Sequence, residues 1–391
     1  MNTLFPAFPF PLPMILDGAT GTELIKAGMP TGVCPELWIT EHPQVIIEIQ
    51  KRYAFAGSDA VLAPTFGANR IVLSRYGLAD RTVPLNEKLV SFSKEAVNNA
   101  ALIGGDLSPT GKYLKPIGDM EADDLCDVYY EQAKALDPHV DFFMIETNMD
   151  LSATRMAVLG AKKASSKPLF VTLTVTKNGR TMSGDDLASS FLTLSALGIS
   201  AFGLNCSTGP REMKKLLAPL VPLSLSLGIP LIAKPNAGAP TSDGSHAHLD
   251  TSEFADICRE MAESGILILG GCCGTSDEHI TAIKNTVKDI TFSVTSERID
   301  TNRIASNART TVEIPMELPE PIVPDDDFTD NADEMADDET FIYVKIETQE
   351  DADTVLESAP FLSAPLAVCG NEDAIFYLCR YYCGKIVVIS E

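Results

Sequence analysis

Three cysteines carry the strongest chemical signal in this sequence: Cys206 in GLNCSTG and the adjacent pair Cys272 and Cys273 in GGCCGT. Thiolates are soft ligands, and three converging on one point make a zinc-preferring site. Structural zinc sites take four protein ligands, whereas catalytic ones leave a position open. Successive side chains on a regular strand face opposite ways, so Cys272 and Cys273 can converge only where the backbone turns. Gly270, Gly271 and Gly274 supply that freedom. The plainer alternative is that these thiols are small buried apolar groups. An Asn205-Cys206 step ending one apolar run and a Cys-Cys step ending another favour a metal.

Two carboxylates share that placement. Asp17 ends the run MILD and opens DGATGT; Glu146 ends DFFMIE. Asp-Gly is also a common turn, in which the carboxylate satisfies backbone N–H groups. Glu146, at the end of a very apolar run, needs a cationic partner, either a ligand ammonium or a neighbouring Lys or Arg. Thr20, Gly21 and Thr22 open a helix whose free N–H groups suit a carboxylate. His246 and His248 read as loop-borne, and His279 in DEHITAI as part of an ordinary helix start.

Eight β-rich runs must position these residues: 14–17, 59–65, 101–107, 141–147, 168–175, 201–206, 230–236 and 266–273. They are continuously apolar, as strands buried on both faces are. Amphipathic segments of helical length lie between them, such as DTSEFADICREMAESG with its capping start and terminal Gly265. Eight strands with helical crossovers over about 280 residues fit an α/β fold of the (β/α)8 TIM-barrel type. An open doubly wound sheet is the alternative, weakened by the lack of Gly-x-Gly-x-x-Gly after the first run. In a barrel, catalytic residues belong at the C-terminal strand ends. That rim would gather Asp17, Glu146, Asn205, Cys206, the Lys234-Pro235-Asn236 step and both further cysteines.

The chain has 391 residues, 45% hydrophobic and 21% charged, which excludes disorder throughout and fits one large domain plus a remainder. The expected division is a barrel over 1–295, an acidic Pro/Asp-rich linker over 296–340 and a small α/β extension over 341–391. The net charge is −24, yet residues 313–357 hold 17 Asp/Glu against one Lys, so about −16 sits there and about −8 elsewhere. No basic stripe points to nucleic acid. No apolar run of about 20 residues points to a membrane span. The start MNTLFPAFPFPLP has no basic residue and four prolines, unlike a signal peptide. Nine irregularly spaced cysteines do not read as a disulfide framework, which is consistent with a cytoplasmic protein.

Taken in order, DGATGTEL, PTFGANR, IET, GLNCSTGP and GGCCGT resemble the zinc-dependent homocysteine S-methyltransferases, over about residues 10–290. The PTFGANR segment is more similar to the homocysteine module of cobalamin-dependent methionine synthase than to the betaine-using branch, which has a Tyr where this chain has Gly67. The resemblance implies that Cys206, Cys272 and Cys273 bind Zn²⁺, with a fourth position for the substrate sulfur. It implies that Asp17 and Glu146 hold the homocysteine ammonium, that the backbone from Gly18 to Thr22 cradles its carboxylate, and that Asn205 belongs to the substrate site. No general base is implied in the methyl-transfer step. The segment 364–390 resembles a β-α-β piece of a pterin-binding barrel. With no cobalamin-binding His loop in the sequence, the donor would be methylcobalamin supplied in trans on a corrinoid protein, linked to methyltetrahydrofolate, or a small donor such as S-methylmethionine. The competing reading is a non-catalytic zinc- or thiol-binding barrel subunit of a corrinoid methyltransferase complex.

Overall fold

The structure is a computed structural model, and it describes residues 4–238, 249–290 and 299–390. His246 and His248 lie outside the described residues. Eight strands form one sheet: β1 (Met14–Ile15), β2 (Ala60–Leu62), β3 (Leu102–Leu107), β4 (Phe142–Asn148), β5 (Leu169–Leu173), β6 (Ala201–Asn205), β7 (Leu231–Lys234) and β8 (Ile268–Leu269). Their order is β1-β8-β7-β6-β5-β4-β3-β2 and every recorded pair is parallel. Helices follow the strands, as the alternation of apolar runs and amphipathic segments requires. The helix Thr251–Glu263 begins on the Asp250 carboxylate, which accepts from the Ser252 N–H, and the chain turns at Gly265 with φ +100°.

No ladder is recorded between β1 and β2. One backbone bond and two carboxylates close that seam. The Asp59 N–H donates to the Ile15 carbonyl (2.6 Å), and the Asp59 carboxylate accepts from the Ile15 N–H (2.7 Å). The Asp17 carboxylate accepts from the Leu62 N–H (2.8 Å). Asp17 is therefore part of the barrel's construction as well as of its rim.

The barrel interior is filled from its N-terminal end. Phe142 and Phe170 stack at 4.5 Å, and Phe8 stacks on Phe170 at 5.5 Å. Phe5 and Phe8 join Met14, Ala60, Phe142, Ala201 and Ile232, most of them first residues of strands, in one core cluster. The Pro-rich opening segment thus plugs the end opposite the polar rim. Phe5 is fully buried, so Phe5→Ala is expected to cost about 3–5 kcal/mol. The midpoint of urea unfolding should fall accordingly.

The chain divides into two compact units, one of residues 1–179 and 199–298, the other of 180–198 and 299–391. In the second unit β9 (Ile304–Ser306) and β10 (Thr311–Glu313) pair antiparallel. The helix Leu187–Ala196 joins them through Thr193 and Ser306, whose hydroxyls lie 3.0 Å apart. β11 (Ile342–Ile346), β12 (Leu366–Gly370) and β13 (Val387–Val388) form a parallel sheet in that order, with helices Gln349–Ser358 and Glu372–Tyr381 between them. The small C-terminal α/β unit expected from the sequence is formed by these elements.

The segment 296–340 differs from a plain linker, since it carries the β9–β10 hairpin and the helix Phe328–Glu339. Phe328 and Ala332 of that helix are buried, with Met335 and Ala336 packed behind them, against Ile342, Val344 and Leu366. Four apolar residues at helical spacing suffice for one buried face. The surrounding Asp and Glu, on the solvent side, dominate the composition and mask that stripe.

Candidate active site

Each thiol segment is held by the backbone beyond β7. The Cys206 N–H donates to the Lys234 carbonyl (3.1 Å), the Cys272 N–H to the Pro235 carbonyl (2.8 Å), and the Ala237 N–H to the Cys273 carbonyl (3.0 Å). The end of β7 thus aligns the segments that follow β6 and β8. The Thr275 N–H returns to the Cys272 carbonyl (3.1 Å), closing a turn with Gly274 at φ +80°. That conformation needs glycine at the third turn position. It releases Cys272 and Cys273 from strand alternation, as the flanking glycines imply. The three Sγ atoms lie within 4.8 Å of one another, and this is the one such group of three potential ligands among the described residues.

Proton competition marks the cluster. Hydrogen bonds from Cys272 and then Cys273 hold the Cys206 thiol far below its ordinary value. The same contact with Cys206 pushes Cys272 up, and Cys273 up to about 11. The three thiols therefore compete with one another for protons, and Cys206 yields its proton most readily.

Backbone strain collects at the same rim. Thr147 (φ +64°) and Cys206 (φ +60°) are non-glycine residues in the left-handed region, at a cost of about 1–3 kcal/mol each. Asn205 restrains both segments. Its Oδ1 accepts from the Thr147 N–H (2.8 Å) and the Thr172 hydroxyl (2.9 Å); its Nδ2 donates to the Thr147 hydroxyl (2.8 Å) and reaches the Cys272 sulfur at 4.0 Å. Asn205 is fully buried and absent from the cavity wall. Its amide is engaged with Thr147, Thr172 and Cys272.

A cavity of about 260 Å³ opens beside the cysteines. Asp17, Gly18, Thr20, Gly21, Thr22 and Glu146 line it together with Cys206, Cys272 and Cys273, so of the residues that the family resemblance assigns to the site all but Asn205 line one cavity. Lys234, Asp106 and Glu36 line it as well. The Lys234 ammonium lies 3.0 Å from Glu146 Oε2 and 3.7 Å from Asp17 Oδ1. Glu146 thus has a neighbouring lysine as its cation, one of the two partners its burial demanded. Asp17 uses Oδ2 for the barrel seam, while its Oδ1 has no hydrogen-bond partner.

Burial pushes Asp17 up to about 6, against the opposing pull of Lys234. Burial raises Asp106 well above the ordinary carboxylate range, with the Glu146 charge adding to it. For Lys234, burial opposes the charge, but Glu146 and Asp17 outweigh it and hold the ammonium above its usual value. Glu36 is raised by burial and accepts from the Gly67 N–H (2.7 Å) and the Cys34 thiol (3.4 Å). A Cβ at position 67 would lie 2.7 Å from Glu36 Oε1, so Glu36 occupies the space a larger residue would need.

Asp106 and Glu36 were not singled out from the sequence. Asp106 stands near the end of β3 and the strand-end rule reaches it. Glu36 sits in the helix Pro35–Glu41, and nothing local marks it. His279 caps its helix as expected: its Nδ1 lies 3.2 Å from the Ser276 N–H that donates to it.

The sequence pattern of the homocysteine S-methyltransferase family matches residues 14–287. The chain belongs to that family. Methionine synthase from Mycobacterium tuberculosis is 33% identical over 298 residues, covering 71% of this chain and 25% of that protein. Methionine synthase from Mycobacterium leprae is 33% identical over 288 residues, covering 68% and 24%. The chain thus spans about a quarter of the length of these relatives. Among solved structures, the oxidized form of the homocysteine methyltransferase MmuM from Escherichia coli matches with a TM-score of 0.58 at 21% identity, over 70% of this chain and 95% of that one. Its metallated form gives 0.57 at 20% identity over the same shares. At that identity the likeness speaks for the barrel fold. The family match ends at residue 287, before the stretch 299–391 of the second unit begins.

Proposed function

We propose that this chain transfers a methyl group to the thiol of homocysteine, forming methionine, and that Cys206, Cys272 and Cys273 hold a zinc ion for that reaction. The observation that carries the reading is the convergence of three thiols on the rim of an amino-acid-sized cavity lined by buried carboxylates. Ligands at about 2.3 Å around a tetrahedral zinc lie about 3.8 Å apart, so sulfurs within 4.8 Å of one another need little movement to fit. The metal, when bound, supplies Lewis acidity that favours the ionised form of an acceptor thiol. On this reading residues 1–295 form the homocysteine-binding part of the chain.

The protein's own part is positioning. Asp17 and Glu146 draw the acceptor's ammonium to one side of the cavity. The backbone from Gly18 to Thr22 faces its carboxylate. Asn205 acts indirectly, by holding Thr147 and Cys272 in place. No side chain needs to move a proton during methyl transfer, because the acceptor is already a thiolate when it attacks. The retention of three thiols and of the amino-acid end favours an enzyme over a metal-storing subunit.

The methyl donor is either a corrinoid-bound methyl group delivered by another protein or a small sulfonium such as S-methylmethionine. Glu36 filling the space at Gly67 supports a donor other than betaine. Methionine formation from homocysteine, assayed with methylcobalamin and with S-methylmethionine in turn, tests the proposal. Turnover with neither sinks it.

The elevated Asp17 gives a pH signature. An ammonium ligand favours ionised Asp17, so its binding below pH 6 must release a proton. Affinity for methionine, whose thioether does not titrate, should therefore be level above about pH 7 and fall about tenfold per pH unit below about 6. A flat calorimetric profile between pH 5 and 7 (about one unit either side of that value) would remove Asp17 from the ammonium site.

A further inference from the structure

The cavity's carboxylates outnumber its cations. Asp17, Glu36, Asp106 and Glu146 line it, and Lys234 is the one Lys or Arg among the lining residues. Glu36 is satisfied by Gly67 and Cys34. Asp106 is buried with Oδ1 unpartnered, an environment that favours its neutral form. Asp17 and Glu146 remain, facing a single ammonium that touches both and is itself 3% exposed. Around Lys234, two carboxylates against one ammonium leave one unit of negative charge without a partner. A second ammonium completes an alternating set of four charges and gives Asp17 Oδ1 the hydrogen bond it lacks. Lys234 offsets the repulsion between the two carboxylates, which would otherwise turn one of them away or neutralise it, and its long stem, running past Gly270, anchors that ammonium to the end of β7.

We infer that Lys234 is a built-in counterion: a positioning residue that holds Asp17 and Glu146 side by side and oriented so that they share a second ammonium, which makes the site selective for thiols bearing one. The inference rests on the amino-acid reading of the cavity and names what sets its selectivity. Lys234 has no part in the chemistry at sulfur. Its loss affects recognition of the amino group and leaves the thiol end intact.

The test is calorimetric binding to the zinc-loaded full chain of homocysteine and of 4-sulfanylbutanoate, which keeps the thiol and the carboxylate but lacks the amino group. The wild type should prefer homocysteine. In Lys234→Met homocysteine should bind about tenfold or more weakly, while 4-sulfanylbutanoate binds as before. In Lys234→Ala, which opens room for a free amine, added propylammonium should restore much of the homocysteine affinity. A merely structural lysine would weaken both ligands alike. Homocysteine binding at wild-type strength in either variant, or a folded Lys234→Ala that does not respond to propylammonium, overturns the inference. A wild type that does not distinguish the two ligands instead overturns the ammonium role of Asp17 and Glu146. Should Lys234→Met fail to fold, Lys234→Gln, which keeps the length and a donor without the charge, gives the same comparison.

Discussion

Cys272→Ala is expected to lose its zinc and all methyl transfer while keeping its fold. A three-thiolate site depends on every ligand. If zinc binds with about 10–16 kcal/mol shared roughly evenly among the thiolates, losing one removes on the order of 4 kcal/mol. That is about a thousandfold in dissociation constant, enough to empty the site on dialysis against a weak chelator. The fold should survive, because the segment is held by the Cys272 N–H on Pro235 and by the Thr275 N–H on the Cys272 carbonyl. Neither bond uses the side chain. Zinc analysis of the dialysed protein, set beside its melting temperature, checks this. A variant that retains a full complement of zinc would show that Cys272 is not a ligand.

Glu146→Gln gives the second large effect, at the other end of the cavity. The substitution keeps the shape and removes the charge, so Lys234 is left with Asp17 alone at 3.7 Å. Charge-assisted hydrogen bonds contribute about 1.5–3 kcal/mol, so homocysteine affinity should fall about 10- to 100-fold. Zinc content should stay at wild-type level, since Glu146 is not part of the thiol group. Unchanged affinity would mean that Glu146 serves only as the partner of Lys234. The two variants separate the site into a metal end and an amino-acid end, and each predicts a loss that the other does not.

Strand order and rim chemistry were legible in the sequence because both follow from short-range pattern. Runs such as FFMIE and PLIAK are apolar until each ends abruptly in a charged residue. One fold converts those endings into a single rim. The adjacency of Cys272 and Cys273 was legible as well, because neighbouring glycines are the local answer to strand alternation. Three kinds of information were not local. Glu36 enters the cavity from a helix, and besides Cys34 its partner is the backbone of Gly67, 31 positions away. The ion pair between Lys234 and Glu146 spans 88 positions, and the sequence left its existence as one of two alternatives. The amide of Asn205, a residue expected in the substrate site, is engaged with Thr147, Thr172 and Cys272. Which neighbours satisfy a buried amide is decided by packing, and period and spacing do not report it. The helix Phe328–Glu339 illustrates the same limit in reverse: four apolar positions fold it, and composition alone presents it as a linker.

The central claim is that three thiols hold a zinc ion to which the acceptor sulfur adds. It is tested most directly on the purified, reduced full chain by zinc analysis together with zinc-edge X-ray absorption, before and after homocysteine is added. The account predicts about one zinc per chain with three protein sulfurs, and one further sulfur ligand when homocysteine binds. A chain that cannot be loaded with zinc, or a bound zinc whose sulfur count does not change with homocysteine, would contradict it.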